Sequence, residues 1–276
     1  MPDTTNLNEE LGTSAIVWNL DDLYVSSSPE KIEHDIAWCE QEAVAIKERY
    51  YGTISSLDPA GLFKLVHRLE QLDIILSRLS TYSFLNFTTQ LNNANAGSLD
   101  QRIHELHSTC STSTVFFELE WNSVEDDIAA SVLASDTLAG YRHYLQTMRR
   151  YRPHQLSEIE EQLLLKKEIA GKKAWTTLFS KVLSGYKYGE AKRNQEQVLS
   201  DLYSSDREVR KKAADDMTAG LQENSHILTH IFNTLAADKM VSDDLRGYSS
   251  WISSMNLYNQ LEDSTVERLI EAVTSR

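Results

Sequence analysis

The sequence has 276 residues, of which only 10 are glycine and 4 are proline, and its 27 Lys and Arg against 41 Asp and Glu give a formal charge of −14. So few turn-forming residues argue against a β-sandwich, a β-barrel or a low-complexity chain, and the negative charge argues against a nucleic-acid partner. We expect a soluble, cytoplasmic protein with no membrane partner and with reduced cysteines, because no long apolar run, export signal or cysteine motif is visible.

Helix start signals recur along the chain, each a capping side chain followed by proline or by an acid or amide three residues later. Apolar residues at three- and four-residue steps follow these signals, most regularly between Leu62 and Leu79. Together they predict helices over residues 28–51, 58–91, 98–121, 136–151, 158–171, 205–240 and 264–276.

A single segment has a different pattern. Residues 182–198 contain Gly185-Tyr-Lys-Tyr-Gly189, which alternates aromatic and polar residues between two glycines and predicts either a short hairpin or an irregular loop. The predicted fold is therefore mainly α, a multi-helix array of antiparallel helical hairpins with at most one short β-hairpin.

Histidines are the first candidates for a metal site, because paired histidines at helical spacing are a common zinc signal. His226 and His230 are four residues apart, which places both rings on one helix face. Ile227 stands where an H-E-x-x-H site carries the glutamate that activates a metal-bound water. We therefore interpret the pair as part of a solvated polar face opposite an apolar stripe that includes Phe232.

A second possible ligand cluster combines His104, His107 and Cys110, which follow one another at three-residue steps. It offers only three of the four ligands of a closed zinc site. Cys110 also continues an apolar stripe with Ile103 and Leu106, so we interpret it as a core residue.

Two charged runs have simpler explanations than a ligand site. The acidic residues within 118–127 lack the oxygen-ligand spacing and central glycine of a calcium loop, and we predict a solvated helix end there. The arginines within 149–152 are placed to cap the helix that precedes them, where cations favour the negative end of the helix dipole. No phosphate-binding glycine loop or serine nucleophile elbow is present.

Several short motifs make the chain recognisable as a whole. The segment Trp18-Asn-Leu-Asp-Asp-Leu-Tyr24 resembles the opening signature of the oligoendopeptidase F family of thimet-oligopeptidase-like zinc metallopeptidases. Further similarity to that family lies in Arg152-Pro-His-Gln-Leu-Ser-Glu-Ile-Glu-Glu161 with Ala174-Trp-Thr-Thr-Leu-Phe179, then in Leu202-Tyr-Ser-Ser-Asp-Arg-Glu-Val-Arg210, then in Leu245-Arg-Gly-Tyr248. The motifs keep the family order over nearly the whole chain.

The resemblance implies a helical N-terminal region over a deep channel and a later catalytic region that binds zinc through H-E-x-x-H and a downstream glutamate. Neither zinc element occurs in this sequence, so no catalytic, cofactor or metal residue is carried over to it. We expect residues 1–198 to form the helical N-terminal region and residues 199–276 to begin the catalytic region. The complete enzyme would bind zinc and hydrolyse short peptides; this chain would form a channel wall and be inactive without the remaining catalytic region.

Two alternatives stay open. The chain could be a non-catalytic helical module that binds peptides or proteins, or an autonomous zinc enzyme that uses His226 and His230. A reading frame that continues into H-E-x-x-H would separate the first alternative from the peptidase. Apolar stripes that pack against a missing part are expected to be exposed.

Overall fold

A computed structural model of the chain describes residues 12, 19–25, 29–90 and 93–275. Trp18, Ser28, Leu91, Asn92 and Arg276, which figure in the predictions above, lie outside these residues. The helices are α1 (Pro29–Tyr50), α2 (Pro59–Thr89), α3 (Ala94–Ser123), α4 (Asp126–Leu133), α5 (Arg142–Arg149), α6 (Glu158–Glu168), α7 (Lys172–Gly185), α8 (Gln195–Asp201), α9 (Arg207–Glu223), α10 (Ser225–Leu245), α11 (Ser253–Tyr258) and α12 (Asp263–Thr274).

The main core lies where the three long helices α1, α2 and α3 pack against one another. The predicted apolar stripes supply its side chains: Ile46 of α1, Leu65 of α2 and Ile103 of α3 are each at most 1% exposed. Each such side chain contributes about 1.5–3 kcal/mol through the burial of apolar surface. The predicted mainly α fold is confirmed.

A polar network fastens the segment before α1 to this core. The buried Tyr24 hydroxyl donates to Asp35 Oδ2 over 2.7 Å, and Arg78 Nη2 donates to the same oxygen over 2.6 Å. Burial would raise the pKa of Asp35, but the hydrogen bonds from Tyr24, His34 and Arg78 outweigh it and lower that pKa. Tyr24 is the last residue of the first motif, so this motif has a packing role.

Two predicted helix starts are confirmed in their atomic detail. The Asp58 carboxylate accepts from the Gly61 amide over 2.7 Å at the start of α2. At the start of α6, Ser157 and Glu160 form the predicted capping box with both of its reciprocal bonds.

The predicted start of the third helix is wrong. The helix α3 begins at Ala94, because the Asn93 side chain accepts from the amides of Asn95 and Ala96 and so caps the helix earlier. Gly97 and Ser98 consequently lie inside the helix. The Phe87 ring lies 3.4 Å from the position that a Cβ of Gly97 would occupy, so the glycine allows close packing of this ring.

Helix boundaries in the rest of the chain also differ from the prediction. The 136–151 segment is a 3-10 turn, Asp136–Leu138, followed by α5, and the 205–240 segment is divided at Asn224 into α9 and α10. The short helices α4 and α11 were not predicted. Short helices give few periodic positions, so their pattern is weak.

The predicted hairpin segment, residues 182–198, is helical only at its two ends. The helix α7 extends to Gly185, and α8 begins at Gln195. Between them, Tyr188 and Arg193 form an isolated antiparallel bridge around a turn, and the described residues contain no strand. Tyr188 is completely buried and packs with Val198 and Ala213 in a small second core. None of the described helices is long and apolar enough to cross a membrane.

Candidate functional site

A cavity of about 630 Å³ lies between α2, α3, α5 and α6. Its floor is apolar and includes Leu69, Leu72, Leu76, Phe117, Met148 and Leu165. Its polar side includes Glu70, Asp73, His107, Glu118, Tyr141 and Tyr144. No lysine or arginine lines it. A mostly apolar concavity with a few polar groups is the usual form of a ligand site.

Glu118 and Tyr144 form the most desolvated part of the polar side. Burial raises the pKa of Glu118, repulsion from Glu161 adds to the rise, and Arg246 opposes it. Burial also raises the pKa of Tyr144 to about 12, with smaller contributions from Glu118 and Asp73. Both side chains are nevertheless open to solvent, Tyr144 by 49%. They are reached by water at the cavity mouth and are surrounded by protein on the other sides.

The opposite edge of the cavity is held by a hydrogen-bonded trio. The Tyr141 hydroxyl donates to Glu70 Oε2 over 2.6 Å and lies 3.1 Å from His67 Nδ1. Burial and the bond to Glu70 raise the pKa of Tyr141 to about 12. Tyr141 and Glu70 are thus partners of each other and are less available to a ligand than Glu118.

The candidate cluster of His104, His107 and Cys110 does not converge on a common point. His104 Nδ1 lies 3.6 Å from Asp100, His107 Nδ1 lies 3.3 Å from the Ser111 hydroxyl, and the Cys110 thiol donates to the Cys39 carbonyl over 3.6 Å. Burial lowers the pKa of His107 and raises that of Cys110 to about 11. Cys110 is 1% exposed in the main core, where the sequence placed it.

The candidate pair of His226 and His230 is exposed on α10, on the polar face that the sequence predicts. The His230 ring packs edge-to-face on Trp175 with 5.2 Å between ring centroids. The ranges that the structure describes hold no group of three or more His, Cys, Asp or Glu placed to bind a metal ion. We predicted Phe232 on the buried apolar stripe, but its side chain is 71% exposed, so the prediction is wrong for this residue.

Of the arginines within 149–152, Arg149 lies in the last turn of α5 as predicted, but its side chain binds the carbonyls at the end of a different helix. Arg149 donates to the carbonyls of Trp121 and Val124 at the end of α3, over 2.7 Å each. It also bonds Asp126, which opens α4. Arg149 can bind there because the last carbonyls of a helix have no hydrogen-bond partner within the helix.

Two of the segments that resemble family motifs, 152–161 and 245–248, meet at one junction, which we call the Arg246 junction (His154, Glu161, Arg246 and Tyr248). Arg246 donates from both terminal nitrogens to Glu161 over 2.7 and 2.8 Å, and from Nη1 to the His154 carbonyl over 3.2 Å. His154 Nδ1 donates to the Arg246 carbonyl over 2.9 Å, and its ring stacks on Tyr248 with 3.9 Å between centroids. The junction joins α6 to the end of α10.

Large apolar side chains are exposed throughout the last third of the chain. Those on α10, α11 and α12 and between them include Met240, Val241, Trp251, Met255, Tyr258, Leu269, Ile270 and Val273. No residue of α12 is buried. A surface this apolar marks an interaction site or a region that another part of a protein covers.

Three comparisons place the chain among known proteins. A family model described as Oligopeptidase F matches residues 120–188. Oligopeptidase PepF of Bacillus subtilis (strain 168) is 24% identical, with 93% of this chain and 39% of that protein aligned. The crystal structure of oligoendopeptidase-F from Enterococcus faecium has a TM-score of 0.78 and 20% identity, over 90% of this chain and 49% of that one. The chain thus spans less than half the length of these relatives, and its resemblance to the oligoendopeptidase F family is confirmed.

Proposed function

We propose that this chain, as a relative of the oligoendopeptidase F family, supplies the N-terminal part of a zinc metalloendopeptidase that hydrolyses short peptides in the cytoplasm. Residues 1–198 would be the helical N-terminal region and residues 199–276 the beginning of the catalytic region. The cavity between α2, α3, α5 and α6 would face the peptide channel as part of its wall. The chain aligns to less than half of each relative, which supports this division of labour.

The observation that carries the proposal is the apolar surface of α10–α12. Side chains such as Trp251 and Val273 are 76% and 69% exposed, and leaving them in water forgoes about 1.5–3 kcal/mol of burial for each. A catalytic region that packs on these helices would recover this energy. The main core, by contrast, is formed by buried residues between Tyr24 and Leu145, outside α10–α12.

Catalysis is assigned to the remaining region and not to this chain. Zinc, when bound in the complete enzyme, would lower the pKa of a water and so supply the nucleophile for the peptide bond. The chain has no H-E-x-x-H sequence, and Ile227 follows His226 where that motif requires glutamate. We therefore propose that the chain alone holds a peptide without hydrolysing it.

A peptidase assay on the purified chain tests the proposal. The substrate is an internally quenched fluorogenic peptide, and the assay is run with added zinc and with a chelator. We expect no hydrolysis in either case, with micromolar to millimolar peptide binding by fluorescence anisotropy. Hydrolysis that the chelator abolishes would contradict the assignment and favour the histidines of α10, and the His226→Ala variant would then lose activity.

The non-catalytic binding module makes a different prediction about neighbouring sequence. If the reading frame continues into H-E-x-x-H, the chain is part of a peptidase; if it stops and the chain still binds peptides, the module is the better description. Expression with the continuing region should also bury the apolar side chains of α10–α12, which a loss of dye binding to this surface would report.

A further inference from the structure

The polar side of the cavity carries acidic groups without cationic partners. Within the described part of the chain, neither Glu118 nor Asp73 makes a hydrogen bond or an ion pair. The carboxylate of Glu118 is held in a partly desolvated place, which is costly for an unpaired charge. A ligand that brought a positive charge to Glu118 would remove that cost.

The nearest cation of the protein cannot meet this need. Arg246 affects the pKa of Glu118, so it lies within electrostatic range. Both of its terminal nitrogens, however, are already bonded to Glu161, and one of them also to the His154 carbonyl. Glu118 is therefore an acid without a hydrogen-bonded partner, and the arginine in its neighbourhood is bound to a different carboxylate, that of Glu161.

We propose that the cavity binds a cationic group of a peptide, either a protonated amino terminus or the side chain of a lysine or arginine. The Glu118 carboxylate is its counterion, and the adjoining Tyr144 ring, also exposed to the cavity mouth, packs on the cation through its face. The apolar floor, with Leu72 and Phe117, takes the neighbouring apolar part of the ligand.

Charge and shape both favour this class of ligand over others. Glu70, Asp73 and Glu118 repel an anion, and no lysine or arginine in the lining could bind one. A small inorganic cation would leave the apolar floor in contact with water. The identification of the ligand as a peptide rests on the proposed function; the preference for a cation rests on the cavity alone.

Isothermal titration of the chain with matched probes tests the inference. Three apolar pentapeptide amides are used: one with a free amino terminus, one acetylated with a single lysine, and one acetylated without lysine. Hexylammonium and hexanol serve as probes without a peptide bond. We expect each charged probe to bind about tenfold more tightly than its neutral counterpart, which corresponds to about 1.4 kcal/mol. The two charged peptides distinguish an amino terminus from a side chain.

Two variants make the test specific to Glu118. In Glu118→Gln the preference for charged probes should fall to less than about twofold. The substitution should leave the fold intact, because burial already disfavours the charge at this position. Glu105→Gln is the matched control, since Glu105 is an exposed acid of the same helix that does not line the cavity. It should keep the full preference.

The outcomes separate this inference from the proposed function. Peptides that bind equally well whatever their charge would overturn the cationic site and leave the channel wall standing. Binding of hexylammonium but of no peptide would support the cationic site and contradict the peptide function. Binding of none of the probes would overturn both proposals. A charge preference that Glu118→Gln retains would overturn the cationic site alone.

Discussion

The Arg246 junction should contribute strongly to stability, and Glu161→Gln measures how much. The side chains of Glu161 and Arg246 are 12% and 27% exposed. Removing one partner of a fully buried ion pair costs about 3–5 kcal/mol. Because water reaches more than a quarter of Arg246 and recovers part of its solvation, we expect a loss of about 2 kcal/mol in the free energy of unfolding.

The matched control is Glu262→Gln, which removes a second pair between the end of the chain and the helices before it. Arg150 donates to Glu262 over 2.9 Å, but the carboxylate is 76% exposed. An exposed pair of this kind contributes less than about 1 kcal/mol, so the loss should be below about 0.5 kcal/mol. Urea unfolding followed by circular dichroism gives both values. Equal losses from the two variants would refute the argument from burial.

The pH dependence of the same variant has a definite sign. Burial would raise the pKa of Glu161, but the bonds from Arg246 and the Leu156 amide outweigh it and lower that pKa in the folded chain. The stabilisation is therefore present above the unfolded pKa of glutamate, about 4.3, and is lost as the pH falls through the folded pKa. The difference between wild type and Glu161→Gln should shrink in acid, and a difference that grows would contradict the pairing.

The remaining predictions concern packing. Gly220→Ala should lower the free energy of unfolding by about 2 kcal/mol, because the new Cβ would lie 2.6 Å from the ring of the completely buried Tyr188. Gly140→Ala is the control and should change it by less than about 0.5 kcal/mol, since nothing lies within 4 Å of its Cβ. A larger loss in Gly140→Ala than in Gly220→Ala, measured by thermal unfolding, would disprove this. Burial raises the pKa values of Cys39 and Cys110 to about 12 and 11, so both thiols should react with Ellman's reagent only after unfolding, and a fast reaction of the native chain would show that they are accessible.

Local signals predicted the first half of the fold well. The stripe of α2 and the caps at Asp58 and Ser157 depend on residues within one or two turns, and these occur in the structure as expected. The start of α3 was misplaced because Asn93 caps the helix five residues before Ser98, the cap that the prediction used.

The candidate site could not be predicted in the same way. The cavity takes residues from four helices, and its key acid, Glu118, belongs to a run that the sequence presents only as a solvated helix end. Desolvation by distant elements, not local pattern, distinguishes it from its neighbours. The sequence identified the two motifs that contain Glu161 and Arg246 but did not predict the Arg246 junction, because the contact between them depends on tertiary packing.

The Arg246 junction also bears on the order in which the chain folds. Arg246 and Glu161 are 85 residues apart in sequence, and closing so long a loop carries an entropy cost that grows with the logarithm of its length. Neighbouring helices such as α1 and α2 meet through a much shorter connection and can pair earlier. During synthesis the α1–α3 core can assemble on the ribosome before Arg246 has been translated, so the junction fastens a domain that is already formed.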